Sequence, residues 1–279
     1  MNVTNLSKIP LEKIIECFLS AFENYYVKMP VDPSYYKKRW KAAKVDFNLS
    51  YGFFENDELV AFIIHAVDQR GGILTAYNTG TGVIPSHRGK GLVNIIYDYA
   101  LKDLSQKGIV KSTLEVITKN DVAVHCYKKV GFEIVKNYRC FGGNITMESK
   151  STFALSEIPL DQVDWNKLPN QQLYSWDFQK ETILGVNYRF YHVMHMQEVE
   201  SFFIFNPETT IVAQFDLLKI REGGWERLMG AISSVSETVR VINVDDRQKL
   251  KIQNIQQSGL QPTVDQYEMA LNISTPSPK

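Results

Sequence analysis

Around residue 90 the chain changes its period, and that change limits what it can fold into. From Ile73 to Ile84 the residues fit a strand. From Leu92 to Gln106 the apolar residues Leu92, Ile95, Ile96, Tyr99, Ala100 and Leu104 fall on one helical stripe. Between them lie Pro85 and the loop Arg88-Gly89-Lys90-Gly91. A strand that turns through glycines into an amphipathic helix belongs to a layered domain, because each element buries one face only against another element.

The flanking sequence extends this pattern. Pro10 precedes a helical stripe of Leu11, Ile14, Ile15, Phe18 and Leu19, and a second helix starts near Pro33 and carries Tyr36, Trp40 and Ala43. The period then becomes two: Ser50 to Glu55 and Glu58 to Asp68 flank the turn pair Asn56-Asp57. In the strand from Ile73, Gly80 and Gly82 suit a bulge or a close approach of ligand to backbone. Lys111 to Ile117 reads as a strand, Asn120 as the N-cap of a helix through Val130, and Gly131 as its left-handed stop. Strands follow from Phe132 to Met147.

Composition narrows the class. Hydrophobic residues make up 44% of the 279, enough for packed cores. Lys plus Arg and Asp plus Glu are both 31, so no general basic field exists to hold nucleic acid or an anionic membrane. Three cysteines without C-x-x-C spacing argue against a disulfide framework and a zinc cluster, and fit a reducing cytoplasm. No run of about 18 apolar residues could span a bilayer. His192 and His195 lack a third residue at ligand spacing, so no metal is expected.

Glycines at a strand-to-helix turn can aim several N–H groups at a pyrophosphate, backed by a helix N-terminus, with Arg88 and Lys90 adding charge. Two other phosphate motifs fail. A P-loop would require Gly at Ile84 and Ser or Thr at Gly91, and a dinucleotide fingerprint starting at Gly89 would require Gly at Asn94.

The stretch from Gly82 to Leu92, followed by Asn120-x-x-Ala123-x-x-x-Tyr127-x-x-x-Gly131-Phe132, resembles the GCN5-related N-acetyltransferase (GNAT) family over residues 1–148. Val93 departs from the small residue usual at the end of the family's loop, although its amide can still donate. The resemblance implies an α/β (α+β layered) fold with a mixed, mainly antiparallel sheet flanked by helices. It also implies acetyl-coenzyme A as co-substrate and direct attack by a primary amine in a ternary complex. By that resemblance Arg88, Gly89, Lys90, Gly91, Leu92, Val93 and Asn120 contact the cofactor, and the amides of Val83 or Ile84 meet the oxyanion. The same resemblance implies that Tyr127 faces the sulfur. A phenol near pKa 10 is a weaker acid than a thiol near 8.5, so full proton transfer is uphill by roughly 2 kcal/mol and hydrogen-bond donation is the expected role.

An amine of pKa about 10 is mostly protonated at pH 7, so an acceptor for its proton is needed. Glu115 is the first candidate, with Tyr77 and His65 behind it. Cys126, with no activating His in view, reads as a packing residue. Tyr25, Tyr26, Tyr35, Tyr36 and Trp40, together with Tyr77, are candidates to line a groove for a small-molecule or peptide amine. The expected assembly is a monomer or homodimer.

After a Ser-rich passage at 149–155, the second half reads as a worn copy, giving a tandem duplication with domains at 1–148 and 156–279. Thr209 to Leu218, Trp225 to Val235, Thr238 to Val244, Gln248 to Ser258 and Pro262 to Ile273 repeat the order strand, helix, strand, helix, strand. Arg221-Glu222-Gly223-Gly224 echoes the first loop, but Glu222 and Glu226 would repel a pyrophosphate, and no tyrosine takes the place of Tyr127. A degenerate domain that shapes the acceptor groove is expected. A non-catalytic acyl-coenzyme A sensor or scaffold stays open as the alternative, and Ser274 to Lys279 reads as a tail.

Overall fold

The computed structural model describes residues 2–147 and 152–273, so the start of the Ser-rich passage and the tail from Ser274 lie outside the described residues. In chain order the elements are β1 (Val3–Asn5), α1 (Leu11–Ala21), α2 (Pro33–Ala43), β2 (Tyr51–Glu55), β3 (Glu58–Arg70), β4 (Ile73–Val83), α3 (Leu92–Gln106), β5 (Lys111–Ile117), α4 (Asp121–Val130) and β6 (Glu133–Asn144). There follow β7 (Ala154–Ile158), α5 (Lys180–Ile183), β8 (Arg189–His195), β9 (Glu198–Asn206), β10 (Ile211–Leu217), α6 (Gly224–Val235), β11 (Thr238–Asp245), α7 (Lys249–Gln257), β12 (Gln261–Pro262) and β13 (Gln266–Asn272).

The chain forms two compact units whose segments interleave. The first is Met1–Val116, Asn120–Val135 and Glu268–Lys279; the second is Ile117–Lys119 and Lys136–Tyr267. The compact units therefore cross a division at 148 and 156: most of β6 belongs to the second and most of β13 to the first. Local periodicity identifies a strand but carries no information about which sheet it joins. The end of β13 is held in the first unit by the Ile273 N–H, which donates to Val110 O at 2.8 Å.

In the first unit the strand order is β1-β2-β3-β4-β5-β13. The strands from β1 to β4 are antiparallel, and β4 runs parallel to β5. Helix α1 places Ile14, Ile15, Phe18 and Ala21 with Tyr36 and Trp40 of α2 over Phe62 and Ile64. Gly80 and Gly82 make this approach possible. A Cβ at Gly80 would lie 2.9 Å from the Phe18 ring, and one at Gly82 would lie 2.6 Å from Ala21 Cβ. The irregularity in pairing falls just before them, between Ile64↔Gly80 and His65↔Asn78, so Thr79 is the extra residue. Helix α3 buries Leu92, Ile96, Tyr97, Ala100 and Leu104. It also receives Tyr51, whose ring packs on Tyr99 and whose hydroxyl donates to Asp103 at 2.7 Å.

In the second unit the order is β6-β11-β10-β9-β8-β7, with β12 on β6. Leu228, Met229 and Ile232 of α6 and Ile255 of α7 pack with Phe203, Phe215 and Val241. A separate cluster sets Trp165, Leu168, Tyr174, Phe178 and Ile183, from a segment of short helical turns, against Phe190, Phe202 and Ile204. Apolar residues spread over turns of three residues carry no sustained period, so this layer leaves little trace in the sequence pattern.

Candidate functional site

The site in the first unit begins where two parallel strands part. β4 and β5 pair from Thr75↔Lys111 to Asn78↔Leu114, yet β4 continues to Val83 and β5 to Ile117. The far halves of the two strands therefore bound a wedge. Ile84 N–H donates back to Val60 O at 3.0 Å. Successive amides in a strand point to opposite edges, so Val83 N–H faces the β5 edge, beyond the last pair. Of the two amides expected to meet an oxyanion, Ile84 is engaged with β3 and Val83 is turned toward the wedge.

β4 leads into a short turn at Pro85–His87 and then into the glycine loop. Gly89 (φ +76°) and Gly91 (φ +70°) are left-handed, and a Cβ on either would meet nothing within 4 Å. Backbone conformation, not crowding, therefore favours glycine at both. Gly91 caps α3, whose backbone bonding starts with Asn94 and Ile95 N–H on Gly91 O at 3.1 and 3.3 Å. The Leu92 and Val93 amides precede that first bond, which leaves them in the helix N-terminal position suited to an anion.

The two loop cations differ. Arg88 Nη2 donates to Ala21 O at 3.0 Å and Nε to Val83 O at 3.3 Å, tying the end of α1 to the end of β4. Lys90 is exposed. His87 Nε2 lies 2.7 Å from Glu55 Oε2, and this bond, with Lys90 behind it, lowers the Glu55 carboxyl below its usual range.

Tyr127 lies on α4, buried at 8% exposure. Burial raises its phenol above the usual value, so it is a neutral O–H at ordinary pH. Its ring is enclosed by Tyr97 at 6.3 Å and Phe132 at 5.9 Å. The Asn120 side chain accepts from Ala123 N–H at 3.2 Å as the N-cap of α4. The Tyr25 hydroxyl lies beside it, its pKa raised chiefly by burial and eased down by the Asn120 side chain. Glu115 is half-buried on β5, one residue past the last pair with β4.

Other candidates fall elsewhere. His65 is fully buried in the sheet, with Nδ1 on Leu49 O at 2.7 Å; burial lowers its pKa to about 4, so it stays neutral and enclosed. Tyr36 is core: it is 1% exposed, its hydroxyl donates to Pro30 O at 2.7 Å, and its ring packs on Phe18 and Trp40. Tyr77 is buried in the body of β4. Tyr26 is 51% exposed with its ring beside Tyr25, and only these two sit at the outer end of the α1 aromatic row. Cys126 donates weakly to Asn94, and burial raises its thiol pKa.

Four residues join the site that motif spacing does not mark: Tyr25, Asn78, Thr81 and Tyr97. Asn78 Nδ2 donates to Thr81 Oγ1 at 2.6 Å and to Tyr97 Oη at 2.7 Å. A signal was available in the polar run Asn78-Thr79-Gly80-Thr81, which interrupts a strand whose surroundings are apolar.

The second loop repeats the cap but not the site. Gly223 (φ +67°, ψ +7°) starts α6 as Gly91 (φ +70°, ψ +17°) starts α3. Aligned on these caps, Arg221 takes the place of Gly89, one residue away from the register its sequence spacing implies, and it is not left-handed. Arg221 is paired with Glu198. Behind the loop, Arg227 grips the buried Glu200 carboxylate through two bonds of 2.7 Å and donates to Glu222 O at 2.8 Å. A carboxylate thus already stands at this helix start. Ile255 precedes Gly259 by four residues, as Tyr127 precedes Gly131, and it is buried and apolar. Among the described residues, no three His, Cys, Asp or Glu side chains are grouped to hold a metal, and no helix is long and apolar enough to cross a membrane.

Residues 12–132 match the model of the Acetyltransferase (GNAT) family. The whole chain is similar in fold to a tandem GNAT protein from the clavulanic acid biosynthesis pathway (14% identity, TM-score 0.68, covering 99% of each chain). It is similar also to GCN5-related N-acetyltransferases of Sphaerobacter thermophilus (9%, TM-score 0.64, covering 97% of this chain and 95% of that one) and Anabaena variabilis (14%, TM-score 0.61, covering 98% and 72%). No curated protein matches the sequence. At these identities the likeness establishes the fold alone.

Proposed function

We propose that the GNAT domain at residues 12–132 transfers an acetyl group from acetyl-coenzyme A to a primary amine, by direct attack in a ternary complex. The observation that carries this reading is the wedge that opens beyond Asn78↔Leu114, with the glycine loop at the end of the same strand. An extended thioester arm suits the gap where β4 and β5 part, with the Val83 amide on its edge, and a pyrophosphate suits the amides at the start of α3.

In this reading the amine nitrogen bonds to the thioester carbon, and the carbonyl oxygen gains negative charge that the Val83 amide meets. The carbon–sulfur bond then breaks. Tyr127, kept protonated by burial, donates a hydrogen bond to the departing thiolate. The amine's surplus proton passes to Glu115, directly or through water. Lys90 supplies charge for the phosphates, Asn120 orients the start of α4 beside Tyr25, and Tyr25 with the exposed Tyr26 offers an aromatic surface to an acceptor. The second unit, with Glu200 under its helix start, binds no coenzyme A in this account.

The test is to incubate the protein with acetyl-coenzyme A and a panel of arylalkylamines, polyamines, lysine and peptides. Free thiol and product mass are followed. Thiol release matched by an acceptor gaining one acetyl group is expected. Binding of acetyl-coenzyme A without turnover on any amine would instead favour a sensor or scaffold.

A further inference from the structure

His87 closes the short turn Pro85–His87 and stands two residues before Gly89. Its Nε2 lies 2.7 Å from Glu55 Oε2, and its Nδ1 lies 2.9 Å from Ser86 Oγ. The Glu55 carboxyl, held below its usual range by this bond first and by Lys90 next, is ionised at neutral pH and can only accept, so Nε2 carries a hydrogen. Nδ1 then accepts the Ser86 O–H in the neutral ring and donates to Ser86 Oγ in the charged one, because a hydroxyl serves in either role. Both ring nitrogens stay engaged whatever the charge of the ring. The His87 side chain is only 15% exposed, whereas that of Glu55, the last residue of β2, is 49% exposed. Arg88, the next residue, is tied to Ala21 O and Val83 O. Beyond these two ties the loop turns on Gly89 and Gly91, both left-handed and with no atom within 4 Å of where a Cβ would stand, and Lys90 between them is exposed. Glycine loses more conformational freedom on ordering than any other residue, so the firmness with which the loop's start is held sets how much order a ligand must supply.

We propose that Glu55 and His87 are positioning residues for the cofactor: their hydrogen bond fastens the start of the glycine loop to the end of β2, so that the loop amides stand ordered before a pyrophosphate arrives. This rests on the reading of the loop as the pyrophosphate site. Two effects of Glu55 oppose one another. Its charge repels phosphates, but repulsion between groups that both meet water is weak and is screened by salt. Its bond to a largely enclosed ring is short and charge-assisted, and salt screens it little. The tie therefore outweighs the repulsion, and Glu55, though an acid beside an anion site, favours binding.

The experiment titrates acetyl-coenzyme A calorimetrically, at low and at high salt, onto wild type, Glu55→Ala, Glu55→Gln, His87→Ala, the double alanine variant and Gly91→Ala, with steady-state kinetics on the best acceptor from the panel. Glu55→Ala and His87→Ala are each expected to weaken binding and raise KM for acetyl-coenzyme A about tenfold, the loss of one hydrogen bond to a charged group, with kcat within about twofold. The double variant is expected to lose no more than either single one, because both remove the same bond. Glu55→Gln keeps an accepting oxygen and is expected to recover most of the affinity. Wild-type affinity in both alanine variants, alongside weakened binding by Gly91→Ala, would overturn the inference and leave the reading of the loop intact. Unchanged affinity in folded Gly91→Ala would overturn both. Tighter binding by Glu55→Ala that fades at high salt would make Glu55 an opposing charge, and losses that add in the double variant would make the two residues act separately; either result contradicts the tie. If His87→Ala lowers the melting temperature, Glu55→Ala, at a half-exposed hairpin end, decides by the same criteria.

Discussion

Arg88 Nη2 donates to the Ala21 carbonyl at 3.0 Å, so the arginine that opens the glycine loop is an anchor for the end of α1. Lys90, two residues on, is exposed. The two positions should therefore fail differently. Arg88→Ala is expected to cost about 1 kcal/mol of stability, below the roughly 1.5–3 kcal/mol of a bond from a charged donor because the side chain is exposed. Lys90→Ala should leave the melting temperature alone and raise KM for acetyl-coenzyme A by about fivefold, as loss of one exposed charge contact would. Urea unfolding and initial rates on the two variants separate these effects; equal changes in both measurements would sink the distinction.

The glycines divide in the same way. At Gly82 a Cβ would sit 2.6 Å from Ala21 Cβ and from the Phe62 ring, so Gly82→Ala forces α1 off the sheet and should cost about 1–3 kcal/mol. At Gly89 a Cβ meets nothing, and Gly89→Ala should cost only the backbone term of about 1 kcal/mol while disturbing the loop amides. Thermal melts report the first effect and acetyl-coenzyme A titration the second. A Gly82→Ala protein as stable as wild type would contradict the packing described for α1.

His65 makes a pH-dependent contribution. Burial lowers its pKa from 6.5 to about 4, so at intermediate pH the unfolded chain binds a proton that the folded chain refuses. The stabilisation is complete above pH 6.5 and drains away as pH falls toward 4. By pH 4.5 the loss is on the order of 2 kcal/mol. His65→Gln, which does not titrate, should show a correspondingly shallower fall in unfolding free energy between pH 7 and pH 4.5. Parallel slopes for the two proteins would show that His65 is not the group responsible.

In the second unit, Glu200 and Arg227 are almost without solvent contact and are joined by two bonds of 2.7 Å. Removing one partner strands the other. Glu200→Gln is expected to lower stability by about 3 kcal/mol, and Glu200→Leu combined with Arg227→Met should recover much of it. Differential scanning calorimetry of the three proteins checks the order. A double variant less stable than Glu200→Gln would argue that the pair is worth more than an apolar replacement.

Much of the first unit is legible in the sequence. The period switch at Arg88, the N-cap at Asn120 and the stop at Gly131 are local properties, and helices α3 and α4 follow from them. What the sequence pattern could not carry is non-local. β13 reads as a strand, but its place beside β5 depends on a partner about 150 residues earlier in the chain. Arg88 reads as a cation, and only the fold brings the Ala21 carbonyl to it. Tyr36 and Trp40 read as groove candidates with core the commoner role for such residues, and the packing of α1 against them settles it as core. The echo at Arg221 is real in its left-handed cap, yet shifted by one residue, because spacing in a motif does not record which glycine the helix uses.

The central claim is that one loop, in the first unit, binds acetyl-coenzyme A for transfer. Calorimetric titration of acetyl-coenzyme A onto wild type, Gly91→Ala and Gly223→Ala tests it most directly, with the melting temperature of each variant as a control. One site per chain is predicted for wild type and for Gly223→Ala, with binding weakened at least tenfold in a folded Gly91→Ala protein, about the 1.4 kcal/mol that a misdirected amide cradle would forfeit. Two sites per chain, or unchanged affinity in folded Gly91→Ala, would contradict the account.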